Sequence, residues 1–287
     1  MSPARAYAGL AVASIGWATA FVVGKVVVRD VSPLAAASLR YGIAALVLLP
    51  LAVRGGHAAA LRRVAVPLAI MTLTGGILYQ WLFLEALART SATNAALLVA
   101  LNPVMTVLLA PLAGERLERS QLSGILLALA GAAIVITRGD PGALIGRGLN
   151  AGDLLALGGA VCWAGFNVAA RPVVGEISPA RANCIVYAAG AIVQGLLARD
   201  PLAQVAGAPP GALAGVLSMA ILSSVMAGQL FLVGVRVVGV ARSVVFVYLV
   251  PVLTGIMSSV LLGEAIEPSQ GVGGVAVLAG VWLTTRR

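Results

Sequence analysis

Residues 17–33 read WATAFVVGKVVVRDVSP, and residues 163–179 read WAGFNVAARPVVGEISP. The opening Trp-Ala, the cation eight places on (Lys25, Arg171) and the closing Ser-Pro (Ser32-Pro33, Ser178-Pro179) recur at one spacing. Tyr41 and Tyr187 extend the match. Further along, Gly114-Glu115, Glu118, Ser120-Gln121, Gly124 and Ala130-Gly131 return as Gly263-Glu264, Glu267, Ser269-Gln270, Gly273 and Ala279-Gly280. The chain therefore divides into two related halves, residues 1–138 and 151–287, joined by a linker at 139–150. The linker is rich in Gly and carries the turn signal Asp140-Pro141-Gly142.

Apolar residues make up 60% of the 287 and charged ones 10%. A soluble domain carries about 25% charged residues, because its surface faces water. So little charge cannot cover a soluble globule, and the charge-poor runs are long enough to cross the hydrocarbon of a bilayer. There the backbone must satisfy its own hydrogen bonds, so the runs are read as helices. No alternation of polarity speaks for a barrel. The net charge of +9 is spread as single arginines near helix ends, not gathered into a stripe, so a nucleic-acid partner is excluded. Cys162 and Cys184 fall inside spans, away from any CxxC pair or from His57, the one histidine, and read as small apolar core thiols. Ala11-Val12-Ala13 has the small residues of a cleavage site, but the apolar run continues past it, and the repeat needs it as a first helix.

Hydropathy predicts spans over 7–28, 34–53, 64–84, 92–113 and 121–137 in the first half, and over 152–170, 180–198, 211–235, 243–262 and 270–285 in the second. The fold class is an all-α integral membrane protein of ten transmembrane helices. Ten spans put both termini on one side, and Lys and Arg are richer in the loops on that side, which marks it as cytoplasmic. Five spans per half is odd, so the second half enters from the opposite face: the chain is two inverted five-helix repeats. Internal repeats of this kind are a transporter signature, with the substrate at the midplane between them.

The ordered, doubled motifs resemble the drug/metabolite transporter superfamily, specifically its EamA-like ten-helix exporters. The resemblance rests on Trp17-Ala18 through Lys25, on Leu84-Glu85-Ala86-Leu87 with Ala92, Ala95 and Ala96 leading to Pro103, and on Gly114-Glu115 and Gln121 through Gly131, with their second-half counterparts. It implies a multi-pass carrier of the bacterial inner membrane for metabolites, amino acids or drugs, with a cavity walled by spans 1, 3, 4, 6, 8 and 9. Within the family the chain is most similar to bacterial exporters of aromatic and other neutral amino acids.

Candidate cavity residues follow from position and chemistry. Trp17 and Trp163 lie about ten residues into their spans, deeper than interfacial anchors, and an indole wall suits an apolar or aromatic side chain. Phe21 and Phe166 share those helices. Tyr79 and Phe83 stand four apart on one face, beside Gln80. Gln229, with Phe231, sits in the related part of span 8, and Asn167 is one turn after Trp163. Uncharged amides and hydroxyls in a bilayer either bond helix to helix or face a wet cavity. Asn94, Asn102 and Tyr248 belong to the same class. The expected substrate contacts are thus Trp17, Phe21, Tyr79, Phe83, Trp163, Asn167, Gln229 and Tyr248.

Other features read as architecture. Pro103 and Pro251 kink spans 4 and 9 and free a carbonyl each. Glu115 and Glu264 precede helices beginning near Ser120 and Ser269, where the helix dipole and the Ser caps stabilise them. Lys25 is an end-of-span anchor. Arg40, several residues inside span 2, is expected to pair with Asp30 or to snorkel outward. Gly124, Ala128 and Gly131, with Gly273, Ala276 and Gly280, make small-residue faces for packing and for a possible homodimer. Gly271-Val-Gly273 and Gly146-Arg-Gly148 match a loose GxGxxA pattern without the strand and helix a nucleotide site needs.

The reading is an exporter of amino acids, aromatic and other neutral, or of related small metabolites. It works by alternating access, as a monomer or homodimer in the lipid bilayer. No cofactor, metal or enzymatic constellation is expected. With no mid-bilayer carboxylate, transport is expected to run uncoupled, down the substrate's own gradient. The alternative is a multidrug exporter of lipophilic cations, served by cation–π contacts.

Overall fold

A computed structural model describes residues 2–53, 58–109, 119–140 and 150–285. The segment with Gly114-Glu115 and Glu118, and most of the linker with Gly146-Arg-Gly148, lie outside the described residues. The long helices are α1 (Pro3–Val27), α2 (Pro33–Ala52), α3 (Ala65–Arg89), α4 (Ala92–Leu109), α5 (Arg119–Thr137), α6 (Ala151–Glu176), α7 (Pro179–Leu197), α8 (Pro210–Val238), α9 (Arg242–Leu262) and α10 (Pro268–Thr285). Eight of these, α1–α4 and α6–α9, are long and apolar enough to cross a membrane, while the apolar stretches of α5 and α10, Leu122–Thr137 and Pro268–Leu283, are shorter. No strand occurs among the described residues. Large apolar side chains point outward, with Leu196 81% and Val260 77% exposed. In water such a surface would aggregate; against lipid tails it is at home.

The repeated Ser-Pro is a helix start. Ser32 accepts a hydrogen bond from the Ala35 amide (3.4 Å) and Ser178 from the Arg181 amide (3.2 Å), each with Pro as the first helical residue. The hydroxyl fills one of the unpaired amide donors, and Pro needs none at that position. Ser91 and Asn150 start α4 and α6 in the same way, accepting from Asn94 and Gly152 at 3.0 and 2.7 Å. Two predicted boundaries shift most. Helix α3 runs on to Arg89, past 84, and α6 to Glu176, past 170, with Pro172 inside it.

Two helices change winding midway. Residues Thr72–Tyr79 of α3 and Met219–Ala227 of α8 form wide π turns. The freed carbonyls find donors on neighbours: the Tyr41 hydroxyl donates to Gly75 O (3.4 Å), the Tyr187 hydroxyl to Ser224 O (3.0 Å), and Gln194 Nε2 to Gly76 O and Ile77 O (3.2 and 2.9 Å). Helix α4 breaks at Ala100–Leu101, just ahead of Asn102-Pro103. Pro103 has no N–H for the Val99 carbonyl, and Asn102 Nδ2 donates to it instead at 3.0 Å. Helix α9 tightens to a 3-10 turn at Val245–Tyr248, before Pro251.

The small-residue faces of α5 and α10 are spent within the chain. A methyl added at Gly131 would stand 2.6 Å from Gly273 O and Val277 N, and one at Gly280 2.6 Å from Gly124 O. These glycines let the two helices touch backbone to backbone, so this face is covered by the chain itself and is not open to a second copy. Helix α2 lies along α7, with Ser38 Oγ donating to Ala191 O at 2.9 Å and the buried Cys184 thiol donating to Ala45 O at 3.5 Å. Both cysteines are free thiols.

Candidate functional site

A cavity opens where α1–α4 and α6–α9 meet. Its free volume is about 50 Å³, room for a few waters, so an amino acid enters only if the walls part.

One wall is aromatic. Trp17 from α1 meets Trp163 from α6 edge to face at 5.7 Å and 85°. Phe166 stacks on Trp163 at 4.6 Å, Tyr79 lies 4.7 Å from it, and Phe231 closes on Trp17 at 5.2 Å. Phe21 and Phe83 form a second edge contact at 4.9 Å. Edge and offset geometries are those that ring quadrupoles favour. Trp17, Trp163 and Tyr79 are half-buried, whereas Phe21, Phe83, Phe166 and Phe231 are buried.

The other wall is polar, and comes from helices absent from the expected set, α2 and α7, with the π turn of α8. Arg40 is only 5% exposed. Its Nε donates to Ser224 Oγ at 2.8 Å and its Nη2 to Ser223 Oγ at 2.7 Å. Its guanidinium carbon lies 5.7 Å from the centres of both the Tyr41 and Phe83 rings. The expected pairing with Asp30, or snorkelling outward, does not occur. Asp30 lies exposed in the turn ahead of α2, whereas Arg40 is on the inward face of that helix, where the hydroxyls of α8 reach it. Tyr41 and Tyr187 pack at 4.5 Å beneath it, and Asn183 completes this wall.

Of the eight expected contacts, Trp17, Phe21, Tyr79, Phe83 and Trp163 line the cavity. Asn167, fully buried, stands behind the wall and donates from Nδ2 to Asn102 Oδ1 at 3.2 Å; Asn102 is the lining residue. Gln229 and Tyr248 lie outside the lining: Gln229 Nε2 donates to Pro179 O and the Tyr248 hydroxyl to Val281 O, both at 3.4 Å. Gln80 is buried and also outside the lining. Sequence reasoning missed Tyr41, Tyr187, Asn183, Ser223 and Ser224. The shared offset of the two tyrosines was the one available signal.

A polar cluster gathers at one end of the bundle. Lys25 Nζ donates to Leu87 O and Thr90 O at 2.8 and 2.7 Å, so the cation tethers α1 to the C-terminal carbonyls of α3 and does not reach out to an interface. Asp153, 2% exposed and absent from the expected set, accepts from Thr90 Oγ1 at 2.6 Å and from Asn94 Nδ2 at 3.4 Å. Gln270 Nε2 donates to Asn94 Oδ1 at 2.7 Å. Glu264 accepts from the Ala92 amide at 3.4 Å, the start of α4, and so serves a helix other than the one that follows it. The Glu115 side chain lies outside the described residues.

A bundle of apolar helices with a lipid-facing surface and an enclosed, amphiphilic central cavity defines a multi-pass membrane protein of the carrier type. The model of the EamA-like transporter family matches residues 4–137 and again 150–286, and the chain belongs to that family. The chain is 31% identical over 274 residues to the uncharacterized transporter YyaM of Bacillus subtilis, covering 93% of this chain and 89% of that one. It is 30% identical over 295 residues to a probable terminal-alkyne amino-acid exporter of Streptantibioticus cattleyicolor, covering 100% and 95%. A solved crystal structure, 22% identical, superposes with a TM-score of 0.64 over 98% of this chain and 96% of that one, a likeness of fold.

Proposed function

We propose that this EamA-family transporter exports amino acids, aromatic and other neutral ones, or related small metabolites across the bacterial inner membrane by alternating access. The reading takes the chain as ten spans in two inverted five-helix halves with both termini cytoplasmic. The observation that carries it is the Trp17–Trp163 contact: counterpart residues of the two halves meet edge to face in one cavity, 5.7 Å apart. Three further like-to-like relations support the same reading. Tyr41 packs on Tyr187, α5 touches α10 through the reciprocal pairs Gly131–Gly273 and Gly124–Gly280, and the π turns of α3 and α8 receive counterpart tyrosine hydroxyls. A residue that meets its own counterpart lies near a two-fold axis, and rocking about such an axis exposes the cavity to one face and then the other. The amino-acid substrate draws on the aromatic box and on the name of the Streptantibioticus relative. Uncoupled transport draws on the lining, which carries no carboxylate among the described residues. The Arg40 guanidinium opposes the alternative, a carrier of lipophilic cations, since like charges repel in a low-dielectric cavity.

The test is counterflow of labelled phenylalanine in proteoliposomes without an imposed pH gradient, with Trp17→Ala and Trp163→Ala alongside. Each ring pair contributes about 0.5–1.5 kcal/mol beyond area burial, so each variant is expected to raise KM by roughly 3- to 10-fold or more. Flux that needs a proton gradient would end the uncoupled reading. Both variants transporting as the wild type does would end the assignment of the cavity.

A further inference from the structure

Arg40 is a buried cation held by two neutral hydroxyls. Taking a charge out of water costs several kcal/mol unless an opposite charge restores it. The ion pairs among the described residues join Arg63 to Glu176, Arg89 to Glu85 and Arg138 to Glu267, and none reaches Arg40. Its Nη1 has no hydrogen-bond partner. A second buried nitrogen in the same lining, Asn183 Nδ2, also has none, and Asn183 is 1% exposed. The other buried polar atoms without partners, on Gln80, Asn167, Gln194, Thr254 and Glu264, belong to residues outside the lining. The unmet capacity of the cavity is therefore all donor, and one of the donors is charged. Two buried N–H groups without partners, both on residues that line the cavity, call for a ligand group that only accepts, and guanidinium is the side chain whose fork best fits a carboxylate.

We propose that Arg40 is the carboxylate anchor of the cavity, with Asn183 as second donor, for a small organic acid whose apolar or aromatic tail lies against Trp17 and Phe83. Ser223 and Ser224 hold the guanidinium by Nε and Nη2 and leave Nη1 for the ligand. The Tyr41 and Phe83 rings flank the cation and keep water from competing for it. A carboxylate arriving here replaces the missing counter-charge, so the acid is favoured over its amide or amine by the charge that the fold leaves uncompensated. The proposal rests on the export reading for the use of the cavity and narrows its substrate: the carboxylate is required and the ammonium is not.

The test is ligand binding to the purified full chain in detergent, read by tryptophan emission. The probes are L-phenylalanine, 3-phenylpropionate, L-phenylalaninamide and phenethylamine. The expected result is that both acids bind at least tenfold more tightly than the amide and the amine. Arg40→Gln should erase that preference and Arg40→Lys should retain part of it. Trp17→Ala should weaken all probes alike and leave the preference standing. Equal binding of acid and amide by the wild type overturns the proposal without any variant, as does saturable binding of no carboxylate to protein shown folded by circular dichroism. So does a folded Arg40→Gln variant that keeps the acid preference. Arg40-dependent binding of 3-phenylpropionate alone would keep the anchor and remove the amino-acid reading. Arg40-independent transport of phenylalanine would do the reverse.

Discussion

Asn102→Leu tests the account of the α4 break. Asn102 is fully buried and makes two bonds: Nδ2 to the Val99 carbonyl at 3.0 Å and Oδ1 from Asn167 Nδ2 at 3.2 Å. Leucine keeps the branched shape and loses both. In a water-soluble protein, two orphaned buried groups would cost about 2–6 kcal/mol. The unfolded chain of a membrane protein remains in an apolar solvent and finds other partners there, so side-chain bonds between membrane helices average about 0.6 kcal/mol and reach about 1.7. The second scale governs here, and the expected loss is about 1–3 kcal/mol. At about 2–4 °C per kcal/mol that is a fall of roughly 2–12 °C in Tm, read by tryptophan emission during thermal unfolding in detergent. Part of the loss belongs to Val99, whose helical donor was removed by Pro103. Pro103→Ala supplies an N–H at that place, so the double variant should be less unstable than the sum of the single ones, by about 0.5 kcal/mol or more. Strict additivity, or an Asn102→Leu protein as stable as the wild type, would refute the claim that Asn102 answers the proline.

Two other outcomes follow from the same geometry. Lys25→Met removes two bonds to the end of α3 and should cost about 1–2 kcal/mol while leaving phenylalanine affinity unchanged, because Lys25 is not in the lining; unfolding midpoints and binding curves check it, and a large loss of affinity at constant Tm would contradict it. Gly131→Val sets a side chain 2.6 Å from the backbone of α10, so α5 and α10 must separate by about 1 Å; a stability loss of about 1–3 kcal/mol is expected, and an unchanged Tm would show that the helices do not touch there.

Some of this was open to reading in the linear chain. Apolar run length and the doubled Trp, Tyr and Ser-Pro positions speak directly, because crossing a bilayer is a demand each segment meets alone. Trp17 and Trp163 were legible because depth along a helix can be counted, and Tyr79 and Phe83 because a spacing of four puts two rings on one helix face. Arg40 was not. Its partners, Ser223 and Ser224, lie 183 and 184 positions away, and the wide winding that presents them leaves no mark on the composition of α8. The nearby acid, Asp30, was the natural partner in sequence and the wrong one in space. Glu264 and Lys25 failed similarly: each serves the end of a helix other than its own, and a local pattern cannot say which end will be delivered. Gln229 and Tyr248 sit at plausible depths but face α7 and α10, and orientation around the helix axis is decided by packing.

The wide turns of α3 and α8 carry one more lesson. A π turn leaves carbonyls poorly served by their own helix. In α3 those of Gly75, Gly76 and Ile77 are taken up by Tyr41 and Gln194, and in α8 that of Ser224 by Tyr187. The pitch of one helix is thus written partly in the side chains of another. A change at Gln194 in α7 would alter how α3 coils, and with it where Tyr79 points, although the two residues lie on different helices. Editing this chain means treating α2, α3, α7 and α8 as a single mechanical part, whose joints belong to none of them alone.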